Sequence, residues 1–288
     1  MTWITFLFSA MFFSSILSQS VFAEPATDSL EIYFLDVGQG DAMILNQPGI
    51  CAVLIDAGPL INGHRVAAKL QELEISELDL VIITHPHLDH FGGLFDLHSR
   101  FGFKHLHDNG RTNPTREYFQ DYQKIRQQQP YTTVSKGDRL SCGDINFEVL
   151  YPPETLPSDQ DLNATWLVMM ISYNNFRLLQ MGDLAGDAEH AMLDENQELD
   201  ADVIKIAHHG AADATSEDLL DKVRPDLAII STSEDNWIDA PSQVVLDRLK
   251  KRGISYFRTD EHKTIKLVVN KNGAFSPFHG AADDSREQ

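Results

Sequence analysis

The sequence predicts an α/β (α+β) protein in which two mixed β-sheets pack together and helices cover their outer faces. Three observations point there. Short apolar strands come first and alternating helices and strands follow, and this order occurs twice along the 288 residues. Hydrophobic residues make up 42% of the chain, enough for a sizeable core. No stretch rich in Pro, Gly or Ser divides the halves, so one domain is expected over residues 24–288.

In the first half, Glu31 to Val37 and Asp41 to Leu45 read as a hairpin closed by Gly38-Gln39-Gly40. Ala52 to Ile55 makes a third strand, ending at Asp56-Ala57-Gly58. His64 to Leu73 has helical periodicity, and Leu78 to Thr84 is a short apolar strand. Thr115 to Gln129 predicts a polar helix outside the core. In the second half, Ile145 to Tyr151, Ala164 to Tyr173 and Phe176 to Met181 read as consecutive strands. Helices over Asp187 to Glu195, Ser216 to Val223 and Ser242 to Lys251 then alternate with strands Val203 to Ala207 and Leu227 to Ser231. Ile265 to Val269 is expected as an edge strand.

Lys plus Arg total 23 and Asp plus Glu 43, a formal net charge of -20. That balance argues against general binding to duplex DNA or anionic lipid. Arg111, Arg116, Lys124 and Arg126 could form a local basic strip, although a solvated helical face accounts for them more simply. At the N-terminus, Trp3 to Leu17 is almost wholly apolar, and Val21-Phe22-Ala23 fits signal-peptidase cleavage. Residues 1–23 are therefore expected to be a secretory signal. They would direct the chain to the periplasm or medium, with no stable membrane insertion after cleavage. Cys51 and Cys142 are the two cysteines; an exported protein could pair them, but two buried free thiols fit the sequence at least as well as a bridge.

The most informative segment is His85-Pro86-His87-Leu88-Asp89-His90. This unbroken H-x-H-x-D-H run follows a buried strand and leads into Phe91-Gly92-Gly93, which can open a helix. Imidazole and carboxylate together suit zinc, manganese or iron. Ligands on both sides of one tight turn can serve two adjacent ions. Two more strand ends carry suitable groups: Asp183 after Met181-Gly182, and His208-His209-Gly210 after Ala207.

Together these stretches resemble the metallo-β-lactamase superfamily, and within it the extracellular hydrolase domain of ComEC-type DNA-uptake proteins. The resemblance is carried by Phe34-Leu35-Asp36-Val37-Gly38-Gln39-Gly40-Asp41-Ala42, Leu54 to Gly58, Thr84 to Gly93, Met181 to Leu184, Lys205 to Gly210 and Arg258 to His262. It implies an αββα sandwich holding one or two ions, Zn2+ or Mn2+. By position, His85 and His87 would bind a first ion. Asp89, His90 and His208 would bind a second, and Asp183 would bridge them. Asp56 would support the ligand loop from behind. His209 is the alternative to His208, strand alternation not deciding between them.

Three departures from the family pattern stand out. Asn163 occupies the loop from which most two-zinc members supply a third histidine, so it would lie at the first ion or against substrate. Ala240 replaces the histidine usual before Pro241-Ser242, and Ala211 replaces a common serine. A first site without its third histidine should be weaker or prefer a harder ion such as manganese.

The reaction implied is phosphodiester hydrolysis by hydroxide generated at the metal pair. Asp89, Asn163 and His209 form the candidate catalytic set, with Asn236 and His262 as candidates for substrate or leaving-group contact. The acidic chain favours a small or short phosphoester, or single-stranded nucleic acid, over duplex DNA. Two other readings compete. One is a lactam or lactone hydrolase, which His90 disfavours. The other is a non-catalytic binding module of the same fold, which the three departures favour. No oligomeric state is implied.

Overall fold

A computed structural model describes residues 29–112, 118–154, 165–195, 198–236 and 238–279. The expected signal segment, Asn163, Arg116 and Trp237 lie outside the described residues.

Strands β1 (Ser29–Phe34), β2 (Ala42–Gln47) and β3 (Cys51–Ala57) form an antiparallel meander. Helix α1 (Gly63–Glu72) follows, then β4 (Glu77–Leu78) and β5 (Leu80–Ile83), the latter parallel to β3. Every residue of β5 is buried, as an interior parallel strand requires. Short helices α2 (Leu88–Phe91) and α3 (Leu94–Leu97) come next, followed by β6 (Gly102–Phe103), which pairs with β4 in a small side sheet. β7 (Leu106–Asp108), α4 (Phe119–Gln128) and β8 (Tyr131–Thr133) complete the parallel half.

The second sheet repeats the plan. β9 (Arg139–Cys142), β10 (Ile145–Tyr151), β11 (Val168–Tyr173) and β12 (Phe176–Gln180) form an antiparallel meander. Then come α5 (Gly186–Glu195), β13 (Val203–Lys205), α6 (Glu217–Val223), β14 (Leu227–Ile230), α7 (Gln243–Lys251) and β15 (Ser255–Arg258), with β12 to β15 mutually parallel. After α8 (Thr259–His262), β16 (Ile265–Asn270) and β17 (Phe275–His279) return to the first sheet beside β1.

Three apolar layers hold these elements. Phe34, Val53, Ile55, Phe147, Ile171 and Phe176 fill the space between the sheets. Each such side chain contributes about 1.5–3 kcal/mol through burial. The outer layers lie under α1 to α4 on one sheet and under α5 to α7 on the other. The expected αββα sandwich is what the chain forms. Cys51 and Cys142 pair, tying β3 of the first sheet to β9 of the second.

Two sequence expectations need correction. The strand over Ile265–Asn270 is interior, because β17 pairs on its outer side. The outer strand β17 carries Pro277, which is tolerated on a sheet edge. Helix α4 is not outside the core: Phe119, Tyr122 and Ile125 are buried, and Tyr122 stacks on Phe91 of α2 at 4.7 Å. Nor does α4 carry a basic strip. Arg126 is buried against Asp108, and Lys124 pairs with Asp121 on its own helix.

Candidate metal centre

The ligand-type side chains arrive from the carboxyl ends of strands in both sheets, where ligands bind in open α/β sheets. Asp56 ends β3, Thr84-His85 follows β5, Gly182-Asp183 follows β12, and His208-His209 lies just beyond β13. Asp89 and His90 lie in α2.

Three imidazoles are anchored the same way. His90 Nδ1 lies 2.9 Å from Asp56 Oδ2, its Nε2 3.1 Å from Asp183 Oδ2. The Thr84 hydroxyl donates to Asp56 Oδ2 at 2.8 Å, so it accepts from His85 Nδ1–H at 3.1 Å. His85 Nε2 then faces Asp183 Oδ2 at 3.7 Å. His209 Nδ1–H donates to the Ser231 carbonyl at 3.0 Å, so in the neutral ring Nε2 keeps a lone pair. That Nε2 is 3.7 Å from Asp89 Oδ2 and 3.8 Å from Asp183 Oδ2. Each ring is thus fixed through Nδ1 with Nε2 toward the centre, the usual way ligand imidazoles are oriented.

The donor atoms of His85, His90 and Asp183 lie within 4.8 Å of one another, as do those of Asp89, His90 and His209. The His87 ring is 4.5 Å from that of His85. His85, His90, Asp183 and His209 are buried, whereas His87 and Asp89 are partly exposed and form the open side of the cluster. Of the expected ligands, the structure brings together His85, His90 and Asp183, and Asp89 and His90 with His209, the alternative to His208; His87 adjoins them through its ring beside His85. Residues 208 and 209 both take left-handed backbone conformations, so simple alternation along a strand does not apply to them. His208 lies instead beside Trp166, ring centroids 5.9 Å apart.

A divalent cation fits this set. His85 Nε2, His209 Nε2 and Asp183 Oδ1 are buried without a hydrogen-bond partner. Buried polar groups are nearly always satisfied, and both imidazole atoms lie within 3.8 Å of the Asp183 carboxylate, so the cluster calls for a further partner. The electrostatics agree. Burial alone would lower His90 and His209. For His90 the carboxylates of Asp183, Asp56 and Asp89 outweigh burial and hold it well above the ordinary value. For His209, Asp183, Asp41 and Asp89 do so and hold it up at about 10. Burial, reinforced by His90, pushes His85 well below, so it is neutral. Burial would raise Asp183, but His90 and His209 hold it well below the usual carboxylate range. Without metal, protons on His90 and His209 supply positive charge where a cation would supply it.

Other expected contacts fall elsewhere. The Asn236 side chain is used by its own loop, bonding Ser233 O, Ala240 O and Ala240 N. His262 packs against Phe257 and His279 at the end of β15. Sequence reasoning missed Thr84, Asn109, Ser231, Asp41 and Lys205. Asn109 Nδ2 donates to Thr84 O at 3.5 Å and Thr165 O at 2.5 Å, bracing the turn below His85. A lysine within the buried strand before His208 was a visible signal, since lysine is almost never fully buried unless paired.

The model of the metallo-beta-lactamase superfamily matches residues 35–234, and the chain belongs to that superfamily. Within it the chain is similar to bacterial competence and recombination proteins. It is 30% identical to ComE operon protein 3 of Bacillus subtilis, over 86% of this chain and 34% of that one. It is 28% identical to Recombination protein 2 of Haemophilus influenzae, over 80% of this chain and 28% of that one. The chain thus spans about a third of the length of the curated relatives it matches. Among solved structures, CmlA, a diiron β-hydroxylase from Streptomyces venezuelae, superposes with a TM-score of 0.55 at 16% identity, covering 86% of this chain and 55% of that one. That likeness concerns the fold.

Proposed function

We propose that this chain is an exported, metal-dependent phosphodiesterase acting on a small or short phosphoester, with single-stranded nucleic acid as an alternative substrate. The observation that carries the reading is the convergence of imidazole Nε2 atoms and carboxylates on one buried point with their polar capacity unmet. His85, His87 and Asp183 would hold one ion. Asp89, His90 and His209 would hold the second, with Asp183 between the two. Zn2+ or Mn2+ bound there supplies Lewis acidity, lowering the pKa of water and drawing charge from a phosphoryl oxygen. The Asp89 carboxylate, with 19% of its side chain exposed, lies on the open side and would orient the attacking water. His208 stands on the same rim beside Trp166, free of the ligand set and available to a substrate oxygen.

Export is supported by the apolar run over residues 3–17 and by the paired cysteines, which suit an oxidising compartment. Among the described residues no helix is long and apolar enough to cross a membrane. The names of the competence relatives support a nucleic-acid connection, and the charge of -20 favours a short substrate over duplex DNA. A binding module is the second reading, favoured by Asn236 serving its own loop and by Ala240 where a histidine is usual.

The test is turnover of bis-(p-nitrophenyl) phosphate and of a short single-stranded DNA by metal-loaded protein, with Asp183→Ala as control. Turnover that vanishes in the variant supports the reading. No turnover at full metal content removes it in favour of the binding module. Hydrolysis of nitrocefin alone would redirect it to lactams.

A further inference from the structure

A buried ion pair outside both ligand sets touches both halves of the second one. Asp41, just ahead of β2, belongs to the first sheet, and Lys205, ending β13, belongs to the second; each is 2% exposed. Lys205 Nζ donates to Asp41 Oδ2 at 2.6 Å and to Ile206 O at 3.1 Å. The other oxygen, Asp41 Oδ1, has no hydrogen-bond partner and faces His209 Nδ1 at 3.5 Å. The backbone of Asp41 grips the other half. Its N–H donates to Asp89 O at 3.3 Å, and its carbonyl accepts from Gly58 N–H at 2.8 Å. Gly40 lies so close that a Cβ there would meet Asp89 O at 2.2 Å.

Buried ion pairs are weak contributors to stability, because desolvation consumes most of the attraction. This pair therefore calls for another reason to exist. Asp89 and His90 come from the first sheet, whereas His209 comes from the second. The apolar layer between the sheets is non-directional and does not by itself fix their relative setting to a few tenths of an ångström. A salt bridge with defined donors and acceptors does.

We propose that Asp41, held by Lys205, is a positioning residue that sets the second cation site, fixing Asp89 through the backbone and His209 through its Nδ1 side. The inference rests on reading the cluster as a metal centre. It assigns to Asp41 and Lys205 the alignment of one sheet's ligands with the other's.

The experiment compares wild type with Lys205→Met, Asp41→Asn and the double variant Asp41→Asn/Lys205→Met. The double variant buries no unpaired charge and keeps the side-chain volumes, so it is the deciding one if the single variants do not fold. Co2+ and Zn2+ are titrated alone, reading stoichiometry, affinity and the visible spectrum of each Co2+ bound, alongside melting of the metal-free proteins. The expected result is a first ion bound as in wild type. The second should be weakened about 10–100-fold, the cost typical of losing a group that orients a ligand, with an altered Co2+ spectrum. A folded double variant that binds both ions with wild-type affinity and spectra overturns the proposal and leaves the pair a structural contact. A wild-type protein that takes up no ion overturns both this inference and the metal-centre reading beneath it.

Discussion

Replacing Asp56 with alanine removes the acceptor of three hydrogen bonds at one fully buried point. They come from Thr84 N–H at 2.8 Å, the Thr84 hydroxyl at 2.8 Å and His90 Nδ1 at 2.9 Å. The hydroxyl can rotate toward another acceptor, but the two N–H donors cannot. Each buried donor left unsatisfied costs about 1–3 kcal/mol, so the variant should lose about 2–6 kcal/mol of stability. With an m-value of about 2–3 kcal/mol per M, the urea midpoint of the metal-free protein falls by roughly 1–3 M. Metal binding should fall as well. His90 loses its anchor directly and His85 loses it through Thr84, one ligand from each ion set. An affinity loss of about 10–100-fold is expected by chelator competition. Asp56→Asn keeps the volume and one acceptor and should fall between. An Asp56→Ala protein within about 0.5 kcal/mol of wild type, with unchanged ion affinity, would refute the claim that this carboxylate orients the cluster.

Other outcomes follow from the same geometry. His209 is held up at about 10 and His90 is also raised above the ordinary value of 6.5. A raised folded pKa gives stability that is complete below the ordinary value and is lost as pH climbs through the folded one. The metal-free protein should therefore weaken between about pH 6.5 and 10. Metal must displace the same protons, so ion affinity should strengthen over that window; calorimetry at several pH values in buffers of different ionisation enthalpy reads both. Changing Cys51 and Cys142 to serine opens a cross-link spanning 91 residues and should cost about 2–5 kcal/mol. Ion content should stay at the wild-type level, because Cys51 starts the strand whose far end carries Asp56. Gly93→Ala would place a Cβ 2.0 Å from Ala57 O, a backbone atom beneath the ligand loop. Overpacking against fixed backbone costs about 1–3 kcal/mol or more, so a lower melting temperature with reduced ion content is expected.

Much of this was legible because the chemistry is local in sequence. The H-x-H-x-D-H run, the apolar strand before it and the strand-end positions of Asp56 and Asp183 are each visible in a short window. What escaped depends on tertiary placement. The choice between His208 and His209 turns on two successive left-handed residues, which no periodicity rule anticipates. Helix α4 carries three core positions among polar neighbours, so its buried stripe is faint against composition. The hub at Asp41 pairs residues 164 positions apart. The use of the Asn236 side chain by the Ser233–Ala240 loop is visible only in three dimensions.

The most direct test of the central claim is the ion content of the protein from residue 24 onward, measured by plasma mass spectrometry after exhaustive dialysis, beside Asp183→Ala. Close to two ions per chain in wild type, with a clear loss in the variant, is the predicted result. Wild-type protein that retains no ion, even after exposure to Zn2+ and Mn2+, would contradict the account.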